Sequence, residues 1–136
     1  MGIVYTEITL ENYEDVVDAK RRRIKTKDVR SVTVKAVVDT GSSTLVINEE
    51  IRQKLGLKAG KKHRTTLADG SKRVYNETEV VMIHWKDRST VCEPILAPEA
   101  DKILLGAIPL QQMHITVDPK GEKLVGRPTK MITHPM

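Results

Sequence analysis

The sequence predicts an all-β domain, a barrel or a sandwich, with one or two short helices. Valine, isoleucine and threonine number 15, 11 and 13 and so make up 39 of the 136 residues, and β-branched side chains favour strands. Turn-forming residues separate short apolar runs about every 8 to 12 residues, a spacing typical of sandwiches and barrels. The length fits one domain, predicted over residues 1–136.

Strands are predicted where apolar and polar residues alternate, or where a short apolar run lies between turn residues. They cover residues 5–10, 31–39, 44–47, 79–85, 90–96, 103–105, 115–117 and 123–125. Asp69-Gly70 and residues 118–121 have the composition of hairpin turns. The polar stretch from 11 to 30 predicts a long loop or hairpin at the edge of the domain. Residues 126–136, with two prolines, predict a frayed tail.

Two short helices are expected. Asn48 is followed by two glutamates, a typical N-cap with acids in the first turn, and Gly56 supplies the stop. Ile51 and Leu55 should face inward. A proline in the second position of residues 108–113 predicts one or two further helical turns there.

The net charge of +5 is unevenly placed. Residues 20–30 carry seven bases and one acid, and a second basic cluster spans residues 61–64 and continues at 72–73. One interpretation is a patch for nucleic acid or an acidic partner. Solvated loops are favoured instead, because the chain has no Phe, one Trp and three Tyr and therefore few bases could stack on it. Nucleic-acid binding is not expected.

The sequence also bears on the compartment. No apolar run approaches the roughly 20 residues of a membrane helix, and the first residues lack the pattern of a signal peptide. The single cysteine, Cys92, excludes an intramolecular disulfide and fits a reducing compartment. A cytoplasmic protein that does not bind membranes is therefore expected, with Cys92 as a small core residue.

One motif suggests chemistry, namely Val37-Val38-Asp39-Thr40-Gly41-Ser42. An acid directly after an apolar strand is costly unless it is hydrogen-bonded or needed. The glycine two residues later would let backbone N–H groups approach the carboxylate closely, and a carboxylate held in this way suits acid–base catalysis. The alternative is an ordinary Asp turn between two strands.

The surroundings of the motif raise the odds of catalysis. Thr44-Leu45-Val46-Ile47 follows it, and Ile103-Leu104-Leu105-Gly106 lies some 60 residues further on, before a short helix. Together with the hairpins between them, these segments resemble the retroviral-type (retropepsin-like) aspartic proteases, in particular their soluble bacterial members. The resemblance covers roughly residues 31–125, and residues 1–30 match only loosely. It implies a retropepsin-like closed β-barrel.

The resemblance also implies roles for particular residues. Asp39 would be the catalytic acid, in an active-site loop with Thr40, Gly41 and Ser42, and Thr40 would reach across a dimer. The implied structural support is an apolar-apolar-Gly strand behind this loop, formed by Leu104, Leu105 and Gly106. The implied substrate-covering flap consists of Leu67, Ala68, Asp69, Gly70 and Ser71.

The chemistry of such an enzyme constrains its assembly. Peptide hydrolysis without a metal or a nucleophilic side chain needs one carboxylate to accept a proton from water and another to protonate the carbonyl oxygen. The chain contains a single Asp-Thr-Gly, so the second carboxylate should come from a second copy across a two-fold axis. We therefore expect a homodimeric aspartic endopeptidase with peptide or protein substrates and no cofactor.

Other functions remain open at this point. The same fold could serve as a non-catalytic dimerisation or peptide-binding module, and a basic β-barrel could bind nucleic acid through residues 20–30. The four histidines are too dispersed for a metal site, and one cysteine cannot complete a thiolate zinc site. Ser42 or Ser43 with a distant histidine would lack a nucleophile elbow.

Overall fold

A nine-stranded sheet organises the structure, a computed structural model that describes residues 3–66, 69–118, 120 and 123–128. Within those ranges the strands are β1 (Tyr5–Asn12), β2 (Ser31–Val38), β3 (Val46–Ile47), β4 (Ala59–Thr66), β5 (Lys72–Thr78), β6 (Val81–Trp85), β7 (Arg88–Cys92), β8 (Ile95–Leu96), β9 (Ile103–Leu105), β10 (Ile115–Asp118) and β11 (Lys123–Gly126). The helices are α1 (Tyr13–Lys20), α2 (Glu49–Leu55) and α3 (Ala107–Gln112), with a 3₁₀ turn at Thr26–Asp28.

The strand order brings distant parts of the chain together. It is β4-β5-β8-β3-β9-β2-β1-β6-β7 in a curled half-barrel, and β10 and β11 form a separate hairpin. Strand β2 pairs with β9 in parallel, Val38 opposite Leu105, and β3 pairs with β8 in parallel. The carboxyl ends of β2 and β9 therefore lie side by side, at the point where Asp39 follows β2.

One apolar cluster lies under the sheet. Its fully buried members, within the described chain, include Ile8, Leu10, Leu45, Ile47, Leu55, Leu57, Ile83 and Leu105. Each such side chain stabilises the fold by about 1.5–3 kcal/mol relative to exposure. The cluster draws on β1, β3, β6, β9 and α2, so it fixes the elements that flank Asp39.

The predicted all-β class is confirmed, and the elements around α2 form as expected. The Asn48 side chain accepts a hydrogen bond from the N–H of Ile51 at 3.0 Å, and Gly56 ends the helix with φ +63°. Ile51 and Leu55 are buried. Strands β4 and β5 form the hairpin predicted around Asp69-Gly70.

The loop predicted between residues 11 and 30 is wrong, because it contains helix α1. The side chain of Asn12 accepts from the N–H of Asp15 at 3.1 Å and so caps the helix. Arg30 then binds Asp15 through its Nε (2.8 Å) and its backbone N–H (3.0 Å). The helix is thus held by a cap and a distant arginine, and the described part of the chain contains three helices where one or two were expected.

The single strand predicted over residues 90–96 is also wrong. Strand β7 pairs with β6, whereas β8 pairs with β3 and β5. Between them lies Pro94, which has no N–H to continue a ladder and whose carbonyl accepts from the N–H of Thr78 at 3.0 Å. The proline thus marks the point where the chain changes partners. None of the helices in the described ranges is long and apolar enough to cross a membrane.

Candidate active site

The backbone of Asp39 is anchored to the neighbouring strand. Its N–H donates to the carbonyl of Leu105 at 3.0 Å, which carries the pairing of β2 and β9 one residue beyond β2. Leu105 is fully buried. The core therefore fixes the backbone position of Asp39.

The carboxylate of Asp39 is oriented by its own loop. Oδ1 accepts from the N–H of Gly41 at 3.0 Å, and the carbonyl of Asp39 accepts from the N–H of Ser42 at 3.0 Å. A Cβ at Gly41 would lie 3.2 Å from that Oδ1, closer than most side-chain contacts. Asp39 is half-buried and Thr40 is exposed at the turn, so one side of the carboxylate faces solvent.

Gly106 supports the loop from behind. A Cβ there would lie 2.3 Å from the carbonyl oxygen of Thr44 and 2.6 Å from that of Ser42, distances that no side chain tolerates. The first N–H groups of α3 bind the same loop, since Ala107 donates to the Ser42 carbonyl at 2.8 Å and Ile108 to the Ser43 carbonyl at 3.0 Å. Backbone atoms of Gly106, Ala107 and Ile108 therefore hold the loop that follows Asp39 in place.

Asp39 opens onto a cleft of about 480 Å³. The cleft is lined by Asp39, Gly41, Ser42, Ser43, Val46, Tyr75, Ile95, Ala97, Ala100 and Leu104. Among the described residues that line the cleft, Asp39 is the one that carries a charge. The lining combines apolar side chains with the hydroxyl groups of Ser42, Ser43 and Tyr75, so a molecule bound in the cleft would lie beside the Asp39 carboxylate.

The hairpin of β4 and β5 forms one wall of the cleft through Tyr75. At its tip Asp69 Oδ1 accepts from the hydroxyl (2.6 Å) and the N–H (2.9 Å) of Ser71, and both bonds lower the pKa of Asp69. Gly70 adopts φ +86°, a conformation that favours glycine. Leu67 and Ala68 of the predicted flap lie outside the described residues.

The structure brings together Asp39, Gly41, Ser42 and the segment from Leu104 to Gly106, the residues to which the resemblance assigns a loop and its support. The cleft walls contributed by Val46, Tyr75, Ile95, Ala97 and Ala100 were missed. These residues come together through the pairing of β8 with β3 and β5. Because this pairing joins segments far apart in sequence, no local pattern marks them. Tyr75 could have been noticed as an aromatic residue in the predicted hairpin.

Cys92 and His84 are not among the residues that line the cleft. Cys92 is half-buried against the core, and burial raises the pKa of its thiol to about 11. Nε2 of His84 lies 2.5 Å from Oε1 of Glu11, on the outer side of β6. Within the described part of the chain, no three His, Cys, Asp or Glu side chains are grouped as metal ligands would be.

The structure is similar to solved structures of other proteins. The structure is similar to the retroviral protease-like domain of Ddi1 from Leishmania major, with a TM-score of 0.58 and 15% identity over 94% of this chain and 90% of that one. A retropepsin-like aspartic protease from Rickettsia conorii matches with a TM-score of 0.44 and 18% identity over 87% and 89% of the two chains. No curated protein sequence is significantly similar.

The sequence matches the family model described as aspartyl protease over residues 26–113. That range includes the Asp39 loop, both strands of the hairpin and the segment behind the loop. The resemblance to retropepsin-like proteases is thus confirmed, and this chain belongs to the aspartyl protease family.

Proposed function

We propose that this protein is an aspartic endopeptidase that acts as a homodimer, with one Asp39 from each subunit at a shared active site. The observation that carries the proposal is the Asp39 carboxylate, which is oriented by the N–H of Gly41 at 3.0 Å and is half-exposed at a cleft lined by both apolar and polar residues. Family membership supports the same chemistry.

The proposed reaction needs two carboxylates about 3 Å apart that share one proton. The ionised one accepts a proton from water as the water oxygen bonds to the peptide carbon, and the protonated one donates to the carbonyl oxygen. The C–N bond of the resulting diol then breaks as a proton passes to the nitrogen. Asp39 is the one acid among the described lining residues, so we assign the second carboxylate to the partner.

The loop supports this assembly. Thr40 is exposed at the turn next to Asp39, where its hydroxyl and backbone are available to the second subunit near the two-fold axis. We assign Thr40 to cross-subunit hydrogen bonds, Gly41 and Ser42 to orientation of the carboxylate, and Leu104, Leu105 and Gly106 to its support. We assign the flap to residues 67–71, which lie in sequence between β4 and the β5 strand that carries Tyr75.

Replacement of Asp39 by Asn tests the proposal, because it preserves shape and removes the ionisable group. Wild type is expected to cleave an unfolded protein substrate, and the Asp39→Asn variant should lose that cleavage while remaining folded and dimeric. Asp101→Asn changes an exposed acid outside the cleft and serves as the matched control. Persistent cleavage by purified Asp39→Asn protein would refute the catalytic assignment.

The shared site is tested by dilution. Activity per subunit should fall as the dimer dissociates, and Thr40→Ala should shift this fall to higher concentration, since each lost hydrogen bond is worth about 0.5–1.5 kcal/mol. Sedimentation and activity are measured on one dilution series. A fully active monomer would refute the shared site, and a dimer that binds peptides without cleaving them would indicate a peptide-binding module.

A further inference from the structure

The hairpin of β4 and β5 carries a concentration of unpaired positive charge. Its exposed cations are Lys61, Lys62, Arg64, Lys72 and Arg73. None of these five forms an ion pair within the described ranges. Their donors are therefore available to a bound molecule.

The strand register divides these cations between two faces. Side chains two residues apart on a strand point to the same side, so Arg73 shares the face of Tyr75, which lines the cleft with Asp39. Lys72 and Val74 lie on the opposite face. The Cα atoms of Arg73 and Tyr75 are about 7 Å apart, the span of two strand residues, so Arg73 lies beside the cleft toward the tip of the hairpin.

The chemistry of the cleft makes Arg73 distinctive. The described lining residues comprise one acid, Asp39, and otherwise neutral side chains. Arg73 is not itself a lining residue, but its guanidinium, on the face of the hairpin that Tyr75 presents to the cleft, carries a planar set of donors that matches a carboxylate in two parallel hydrogen bonds. A peptide lying in the groove would exclude water from that contact and strengthen it.

We propose that Arg73 selects substrates that carry an aspartate or glutamate side chain near the scissile bond. The inference rests on the proposed peptidase function and adds the substrate class, acidic peptide segments. Lys62, Arg64 and Lys72 occupy the other face, since Lys62 and Arg64 pair with Asn76 and Val74 in the ladder. They raise the local concentration of acidic chains without contacting the bound side chain.

The preference is measured on peptides. Wild type is first incubated with a mixed peptide library, and new termini are identified by mass spectrometry; acidic residues should be enriched close to the cleavage sites. The best-cleaved sequence is then made with Glu and with Gln at the enriched position. The kcat/KM ratio of the Glu to the Gln peptide should be about five to ten in wild type.

Two neighbouring variants separate selection from general attraction. Arg73→Gln should bring the ratio close to one, whereas Lys72→Gln removes the same charge from the other face and should retain the ratio. Arg73→Lys should restore part of it, and Arg73→Glu should favour a Lys peptide over the Glu peptide. A merely structural role for Arg73 would not invert the preference.

The outcomes distinguish this inference from the function on which it rests. Wild type that cleaves the Glu and Gln peptides equally would overturn the role of Arg73 and leave the peptidase proposal standing. An equal loss of the ratio in Arg73→Gln and Lys72→Gln would likewise overturn selection by one face. Wild-type dimer that cleaves no peptide of the library would overturn both proposals.

Discussion

The substitution Gly106→Ala is expected to disturb the loop that follows Asp39 directly, because it adds a side chain where the backbone is tightly packed. The added Cβ would lie 2.3 Å and 2.6 Å from the carbonyl oxygens of Thr44 and Ser42, and 2.7 Å from the N of Thr44. These backbone atoms must retreat by about 1 Å to reach ordinary contact. Their retreat strains the hydrogen bonds from Ala107 and Ile108 to the loop. Overpacking of about 1–3 kcal/mol and two weakened bonds of about 0.5–1.5 kcal/mol each predict a loss near 3 kcal/mol.

Urea unfolding at one fixed protein concentration measures this loss, which corresponds to a drop in Tm of about 10 °C. Gly70→Ala is the matched control, because its Cβ meets nothing within 4 Å and only its φ of +86° opposes the change. We expect about 1–2 kcal/mol there. The activity of Gly106→Ala should also fall at temperatures where the variant is still folded. Gly106→Ala as stable and as active as wild type would refute the support that we assign to this glycine.

Two further predictions concern the rest of the chain. The hydrogen bond from Arg30 lowers the pKa of Asp15 in the folded state. The ionised Asp15 therefore stabilises the fold above the unfolded pKa of about 3.9, and this contribution is lost as the pH falls through the folded pKa. Arg30→Met should therefore reduce unfolding free energy by about 1–2 kcal/mol at pH 7 and by less at pH 3; equal losses at both pH values would contradict the pairing. Because burial raises the pKa of Cys92 to about 11, alkylation at pH 8 should be on the order of a hundredfold slower in folded than in urea-unfolded protein, and equal rates would show that the thiol is open.

Much of the architecture followed from local signals. The cap at Asn48, the left-handed stop at Gly56 and the Asp69-Gly70 turn are short-range features, and each forms as predicted. The alternation in β6 places Val81, Ile83 and Trp85 in the core. The Asp39 loop was found through its motif, since the need for glycine close to a carboxylate is itself local.

The errors arose where distant residues decide the structure. Helix α1 buries only Asp15, so it lacks the apolar stripe that identifies a helix in sequence; its partner Arg30 lies 15 residues away. The walls of the cleft depend on parallel pairing of β3 with β8, which no local pattern specifies. The side of the hairpin that meets the cleft is shown by Tyr75, and the alternation of side chains along β5 then places Arg73 on that same side.

Mixing of subunits tests the central proposal, a site shared by two Asp39 side chains, most directly. Wild type is equilibrated with a threefold excess of the Asp39→Asn variant at a concentration where both are dimeric, and cleavage is measured per wild-type subunit. If only a dimer with two Asp39 carboxylates is active, random pairing leaves about a quarter of the original activity. Unchanged activity per wild-type subunit, with exchange verified by a tagged subunit, would contradict the shared site.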